Sequence, residues 1–264
     1  MAASRSRLGE LILVKEVSLP RDLKAKAFVF SKNQQSEFWE KTLVVELDPK
    51  RKVLSTMDGS LKARLVINHS AAFRIWYELC KSNKDEDYLN SIKRKLAEVF
   101  NVNIREVALI ATAVDVSNKL VVVTEEFRLK KLKILVTALI TAGAKTNALR
   151  TGVDEGWYLN EVYLKEYGTV NVILFTNLKL TEAAMARAII TVTEAKTAAF
   201  QDLNVLSSYT PKVLATGTGT DSVVVVSGIY PPLVNYTGGH SKVGELIGKA
   251  VYKGVKEALL KDEA

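Results

Sequence analysis

Four consecutive valines, Val223 to Val226, follow a loop that reads Thr-Gly-Thr-Gly-Thr-Asp over residues 216–221. A strand with one face in water alternates polar and apolar residues, whereas an unbroken β-branched run is a strand buried on both faces. A second such run, "GTVNVILF" (168–175), precedes it, and "TEAAMARAIITVTEAKTAAFQ" (181–201) lies between them. Thr181 is placed to cap a helix there, with Glu182 in its first turn, and that helix extends to about Leu203. Strand, helix and buried strand in this order make a β-α-β unit. It ends in a loop whose two glycines and one carboxylate the strand itself does not need.

The rest of the chain alternates similarly. The first 67 residues read as short strands, "LGELILVKEVSL", "AKAFVF", "KTLVVEL", "KVLSTM" and "ARLVIN", with turn signals at Asp48-Pro49 and Asp58-Gly59. A helical region follows over about 70–100, broken near "KSNKDED". Three more strands come next, "VALIATA", "KLVVVTE" and "KILVTALI". A last helix over about 241–260 carries Val243, Leu246, Ile247, Ala250, Val251, Val255, Ala258 and Leu259 at helical spacing, with Lys242, Lys249, Lys253 and Lys256 opposite. Gly244 and Gly248 are spaced to let that helix pack closely on a neighbour. These elements predict an α/β or α+β fold, mixed β-sheets with packed helices in one compact domain over residues 1–264. The segment "INH", helices and "ATAVDVSNKLVVV" echoes "FTN", a helix and "ATGTGTDSVVVVS". Two pseudo-repeated β-α-β units would share one sheet system, each with an aspartate (Asp115, Asp221) in a loop before a valine-rich strand.

Composition removes several function classes. The 264 residues are 48% hydrophobic with a formal charge of +8. No apolar run approaches the roughly 18 residues of a membrane span, and Leu11 to Val14 is too short for a signal-peptide core, so the expected compartment is the cytoplasm. The lysines are spread along the chain without an aromatic RNA-binding motif, so no nucleic-acid partner is expected, while a homo-oligomer stays open. The single cysteine, Cys80, excludes an internal disulfide and reads as a plain buried thiol. Lys145-Thr146 has the tail of a phosphate-binding loop, but Leu139 and Ala144 stand where its glycines belong.

Several polar residues stand out on chemistry alone. In the Thr-Gly loop, backbone N–H groups can face an anion or carbonyl oxygen, and Asp221 can orient a base or cap backbone donors. His240, in "YTGGHSKVGELIG", precedes a helix and can serve as acid or base near neutral pH. Glu194 interrupts a helix of small and apolar residues, which suggests burial on several sides and a carboxylate that needs a partner. Lys196 points about 200° away from it. Glu245, four residues before Lys249, reads as a solvated ion pair, and His69 as a structural residue beside a cap at Ser70.

Five segments taken together, "TAGAKTNALRTG", "GTVNVILFTN", "TVTEAKTAA", "ATGTGTDSVVVV" and "YTGGHSKVGELIGKAV", resemble the adenosylcobinamide amidohydrolase family of cobamide salvage. They span roughly residues 134–255. The resemblance implies hydrolysis of the amide that joins a corrin propionyl side chain to aminopropanol, giving adenosylcobyric acid. The cobalt comes with the corrinoid substrate, so no cofactor and no protein metal ligand are implied. The catalytic positions it implies are His240 as general base, Asp221 or Glu194 orienting it, and Thr218 or Thr220 as the rival nucleophile to water. Implied substrate-binding positions are Asn147, Arg150, Asn171, Thr216, Gly217, Gly219 and Glu245, with the N–H groups of Gly217 and Gly219 polarising the carbonyl. Lys196 also matches. Trp157, Tyr158 and Tyr236 would wall the corrin faces. Gly239 and Ser241 stand where the family usually shows threonine. The alternative is a non-catalytic corrinoid- or nucleotide-binding protein.

Overall fold

The computed structural model describes residues 11–32, 38–144, 146–156 and 168–263. Lys145, Trp157 and Tyr158 lie outside them. In chain order the strands are β1 (Ile12–Val17), β2 (Ala25–Lys32), β3 (Glu40–Ser55), β4 (Gly59–Ala71), β5 (Val107–Thr112), β6 (Val121–Leu129), β7 (Leu132–Ala142), β8 (Ala148–Leu149), β9 (Val170–Thr176), β10 (Leu178–Leu180), β11 (Gly217–Thr218), β12 (Ser222–Val226) and β13 (Tyr230–Val234). The helices are α1 (Phe73–Lys81), α2 (Asp85–Phe100), α3 (Glu182–Asp202) and α4 (Lys242–Glu263).

Nine strands form one mixed sheet in the order β1-β2-β3-β12-β9-β7-β6, and β4 and β5 extend it from the other side of β3. β3 is the hinge of this arrangement. Residues 40–47 pair with β2, while Val53 to Ser55 pair with β12, so one long strand hands its edge from one half of the sheet to the other. Asp48-Pro49, expected to separate two strands, lies inside β3. There the register with β4 jumps between Glu46 and Arg51, so proline's missing N–H costs no ladder bond.

The two halves of the sheet fold face to face. Alternate residues of β9, β7 and β12 (Ile173, Phe175, Leu135, Leu139, Val224, Val226) pack against Val29, Leu43, Val45 and Ile110 of β2, β3 and β5. Their opposite faces pack on α3 and α4, and the outer face of the other half packs on α2. The result is four layers, helix, sheet, sheet, helix. This explains the unbroken valine run, since β12 has the partner sheet on one face and α3 on the other.

β9-α3-β12 is a β-α-β unit with parallel strands, and β4-α1-α2-β5 is a second one. The echo in the sequence was therefore real in outline but matched the wrong strand. The counterpart of β12 is β5; Asp115 follows it, and the valine-rich β6 pairs with β7 instead.

Thr181 Oγ1 accepts the Ala184 N–H at 3.1 Å, as expected of the α3 cap. All eight apolar positions of the α4 stripe are buried. Gly244 lies against the backbone of Gly238, whereas a Cβ at Gly248 would meet nothing within 4 Å; the second close contact belongs to Gly254, against Ile140 and Val123. Ser70 is a strand residue rather than a cap, and α1 starts after Ala72. Cys80 is half-buried in α1, where burial, with Asp85 nearby, pushes its thiol up to about 11.

Candidate functional site

The loop before β12 wraps around one carboxylate. Asp221 sits where the parallel strands β9 and β12 begin, and its Oδ1 accepts the Val170 N–H at 2.9 Å and the Thr218 hydroxyl at 2.5 Å. Oδ2 accepts the Thr218 N–H at 3.1 Å and forms an ion pair with Lys196 of α3. Both members of the pair are largely buried, with side chains 12% and 14% exposed. Thr197, the next residue of α3, donates its hydroxyl to the Thr216 carbonyl at 2.9 Å and ties the helix to the loop.

The glycines have distinct parts here. A Cβ at Gly217 would run into the Asp221 carboxylate and the Lys196 ammonium, so only glycine leaves room for the pair to form. Gly219 is exposed, and its N–H donates to no described residue. Asn147, 7% exposed, faces Gly219 and donates to the Gly168 carbonyl at 2.9 Å and to Thr220 Oγ1 at 3.4 Å. Tyr209 Oη donates to Asn147 Oδ1 at 3.0 Å. Thr169 Oγ1 donates to the Thr220 carbonyl at 2.7 Å.

Behind this cluster, on the face of β9 that looks between the sheets, Asn171 is fully buried. Its amide donates to Asn68 Oδ1 and to the Ala111 carbonyl, both at 2.9 Å, and Asn68 donates on to Thr141 at 3.1 Å. Asn171 Oδ1 has no partner. These bonds put the start of β9 beside the ends of β4 and β5, so the Asp221 and Asp115 loops share one end of the sandwich. Asp115 there holds Lys41 at 2.5 Å, and the Lys41 and Ser117 hydrogen bonds keep its pKa low against the opposing effect of burial.

Thr218, Thr220, Asp221, Gly217, Gly219 and Asn147 are thus brought together, with Asn171 directly behind. Thr216 and Arg150 brace the periphery. Thr216 Oγ1 accepts the Thr151 N–H at 3.0 Å, and Arg150 Nη1 donates to the Leu214 carbonyl at 3.2 Å.

His240, Glu194 and Glu245 are not part of the cluster. Thr237, three residues before His240, bonds to Ala184 and Thr191 in the first half of α3. Lys242, two residues after it, lies over the Phe127 ring, beyond the Val136–Thr176 pair that ends β9. His240 is exposed at the end of β9 opposite Val170 and Asp221, a strand of seven residues away, on the order of 20 Å. The expected pairing of His240 with Asp221 is therefore not made. Glu194 is exposed, because α3 shows Ala183, Ala186, Arg187, Ile190 and Thr193 to solvent on the same face. Alanine buries too little area to mark a face as inner or outer, which is why the composition suggested burial all round. Glu245 is half-buried between Lys242 and Lys249, and their hydrogen bonds pull its pKa down to about 2. A Cβ at Gly239 would meet nothing within 4 Å, so a threonine there would lie in open space. Tyr236 stacks on Arg187 at the His240 end.

Lys196 and Tyr209 were given no role from the sequence. The geometry that separates Lys196 from Glu194 is also what turns it inward, a signal legible beforehand; nothing in the sequence marks Tyr209. Among the described residues, no three His, Cys, Asp or Glu side chains gather to hold a metal ion, and no helix is long and apolar enough to cross a membrane.

Fold and cluster define a four-layer α/β protein with a threonine, aspartate and lysine linked at one end of its sandwich. The chain matches the family described as adenosylcobinamide amidohydrolase over residues 26–264, and it belongs to that family. It is 45% identical over 235 residues to an uncharacterized protein of Methanocaldococcus jannaschii, MJ1613, covering 84% of this chain and 87% of that one. Among solved structures it is similar to the PH0078 protein of Pyrococcus horikoshii OT3 at 12% identity and a TM-score of 0.39, over 84% of this chain and 76% of that one. An L-aminopeptidase D-Ala-esterase/amidase of Ochrobactrum anthropi is similar at 10% identity and a TM-score of 0.38, over 96% and 82%. Both structural likenesses are too remote to carry an argument about this site.

Proposed function

We propose that this protein hydrolyses the amide between the corrin propionyl side chain and aminopropanol in adenosylcobinamide, with Thr218 as nucleophile and Asp221 and Lys196 as its proton-handling partners. The observation that carries this reading is the linked bonding of Thr218, Asp221 and Lys196, within a segment that matches the family.

Thr218 Oγ attacks the amide carbonyl carbon as its proton passes to Asp221 Oδ1, the acceptor of its hydrogen bond. The N–H of Gly219, an exposed residue, stabilises the oxyanion that forms. Collapse breaks the C–N bond, and the leaving nitrogen takes a proton from the Asp221–Lys196 pair and departs as aminopropanol. Water then adds to the threonyl ester, and its cleavage releases adenosylcobyric acid and restores the Thr218 hydroxyl. Asn147 and Tyr209 offer amide-complementary and aromatic contacts to the corrin periphery. The cobalt belongs to the substrate.

The test is incubation of the pure protein with adenosylcobinamide and assay of released aminopropanol. Thr218→Ala is expected to lose about 10³-fold or more in kcat, and Thr218→Ser to retain turnover. Mass spectrometry of quenched wild-type enzyme should find the corrinoyl ester on Thr218. No release by wild type at high enzyme concentration, with corrinoid binding intact, would make this a binding protein. Near wild-type turnover by Thr218→Ala would return the attack to water.

A further inference from the structure

At the opposite end of the sandwich, β10, the turn after β12 and the start of α3 border a cavity of about 690 Å³. Its wall carries Lys50, Arg51, Lys52, Lys62 and Lys179, against one carboxylate, Glu182. Lys52 pairs with Glu182 at 3.1 Å and Lys50 with Glu106 at 2.8 Å, whereas Lys62 and Lys179 pair with no described carboxylate.

Two features of this wall are costly as they stand. Lys52 and Lys62 face each other directly across the β3–β4 ladder, and like charges in that position repel. Arg51, one residue before Lys52 and opposite Ala63 in the register, is 4% exposed and forms no ion pair with a described residue. Its Nη2 donates to the Leu23 carbonyl and, at 2.8 Å, to the Lys24 carbonyl, while Nε and Nη1 have no partner at all. A buried guanidinium with two unbonded nitrogens carries a desolvation cost that the charge of nearby Asp48 offsets only in part. An anion in the cavity would relieve the Lys52–Lys62 repulsion and add negative charge beside Arg51.

We propose that this cavity binds a polyphosphate group at a site separate from the Asp221 cluster. Five cations at one wall call for more than one negative charge, and guanidinium with ammonium groups is the pairing that phosphate oxygens favour. The volume is that of a small-molecule site, with room for a di- or triphosphate and for an attached nucleoside. Two sources share this chemistry, inorganic polyphosphate and a nucleotide.

Calorimetric titration of the full-length protein with inorganic pyrophosphate, and separately with ATP, tests the proposal. One-site saturable binding that weakens between low and high salt is expected. The exposed double variant Lys62→Glu/Lys179→Glu should bind at least about 10-fold more weakly. Lys62→Gln/Lys179→Gln carries the same reading should charge reversal disturb the fold. Thr218→Ala should bind the anion as wild type does. Tighter binding of ATP identifies the nucleotide as the source, and equal binding the inorganic group. The proposal is overturned by the absence of any binding tighter than about 1 mM, or by unchanged affinity in both double variants.

Discussion

Lys196 and Asp221 meet across the bare Cα of Gly217, so an ion pair between α3 and the start of β12 depends on the side chain that a third residue lacks. The carboxylate is short and held by Val170 and Thr218, while the lysine is long and held mainly at its tip. In Gly217→Ala the new methyl therefore displaces the lysine. Misplacement by about 1 Å at a catalytic group costs on the order of 10²-fold, so kcat is expected to fall by about that factor while the melting temperature moves little. Steady-state kinetics with a thermal melt decide it; wild-type kcat in a folded Gly217→Ala protein would deny the pair any catalytic part.

Asp221→Asn leaves the Lys196 charge in place with its partner gone. Breaking a buried pair from one side costs about 3 kcal/mol or more, and Asp221 also loses part of its hold on Val170 and Thr218. Lys196→Met alone removes the charge and should cost less. The double variant should be more stable than the sum of the two single losses, by about 1–3 kcal/mol. Urea unfolding of the four proteins measures this, and strict additivity would mean the pair contributes no coupling.

His240→Ala should leave turnover within about 3-fold of wild type and stability within about 0.5 kcal/mol, as for other exposed positions away from a working cluster. The imidazole is exposed on the order of a strand length from Asp221. Kinetics on the purified variant check it. A loss beyond about 100-fold would bring the α4 end into the mechanism.

What was legible in the sequence follows from burial. The valines of β12, the β9 run and the α4 stripe announce their surroundings because a large apolar side chain has few places to be. The polar site was legible only in part. Thr218 and Asp221 lie within one short loop, where spacing along the chain limits distance in space, whereas Asn147 comes to Thr220 from 73 residues away. Lys196 and Asp221 are 25 residues apart and joined by the fold, so only the full β-α-β geometry pairs them. His240 was expected beside Asp221 for the converse reason. A histidine between glycines and a helix start looks like a site locally, but parallel packing of α3 and α4 carries it to the far end. The network of Asn171 with Asn68 spans 103 residues and two facing sheets, which no local pattern could show.

His69 makes the fold sensitive to acid. It is 1% exposed, its Nδ1 is 2.9 Å from Thr42 Oγ1, and its Nε2 is 2.8 Å from Tyr88 Oη, which donates to Glu40 at 2.9 Å. The Tyr88 oxygen thus accepts from Nε2–H, and Nδ1 accepts from Thr42, which describes a neutral imidazole. Burial first, and Lys32 second, lower its pKa from 6.5 to about 3. Between those values the unfolded chain binds a proton that the folded chain refuses, so stability rises with pH across this window. It is fully present above about 6.5 and is lost progressively toward 3. Stability at pH 5 should be about 2 kcal/mol below that at pH 7.5. His69→Gln, whatever its starting stability, should flatten this slope. Urea unfolding at both pH values measures it, and a slope retained in the variant would assign the acid sensitivity to another group.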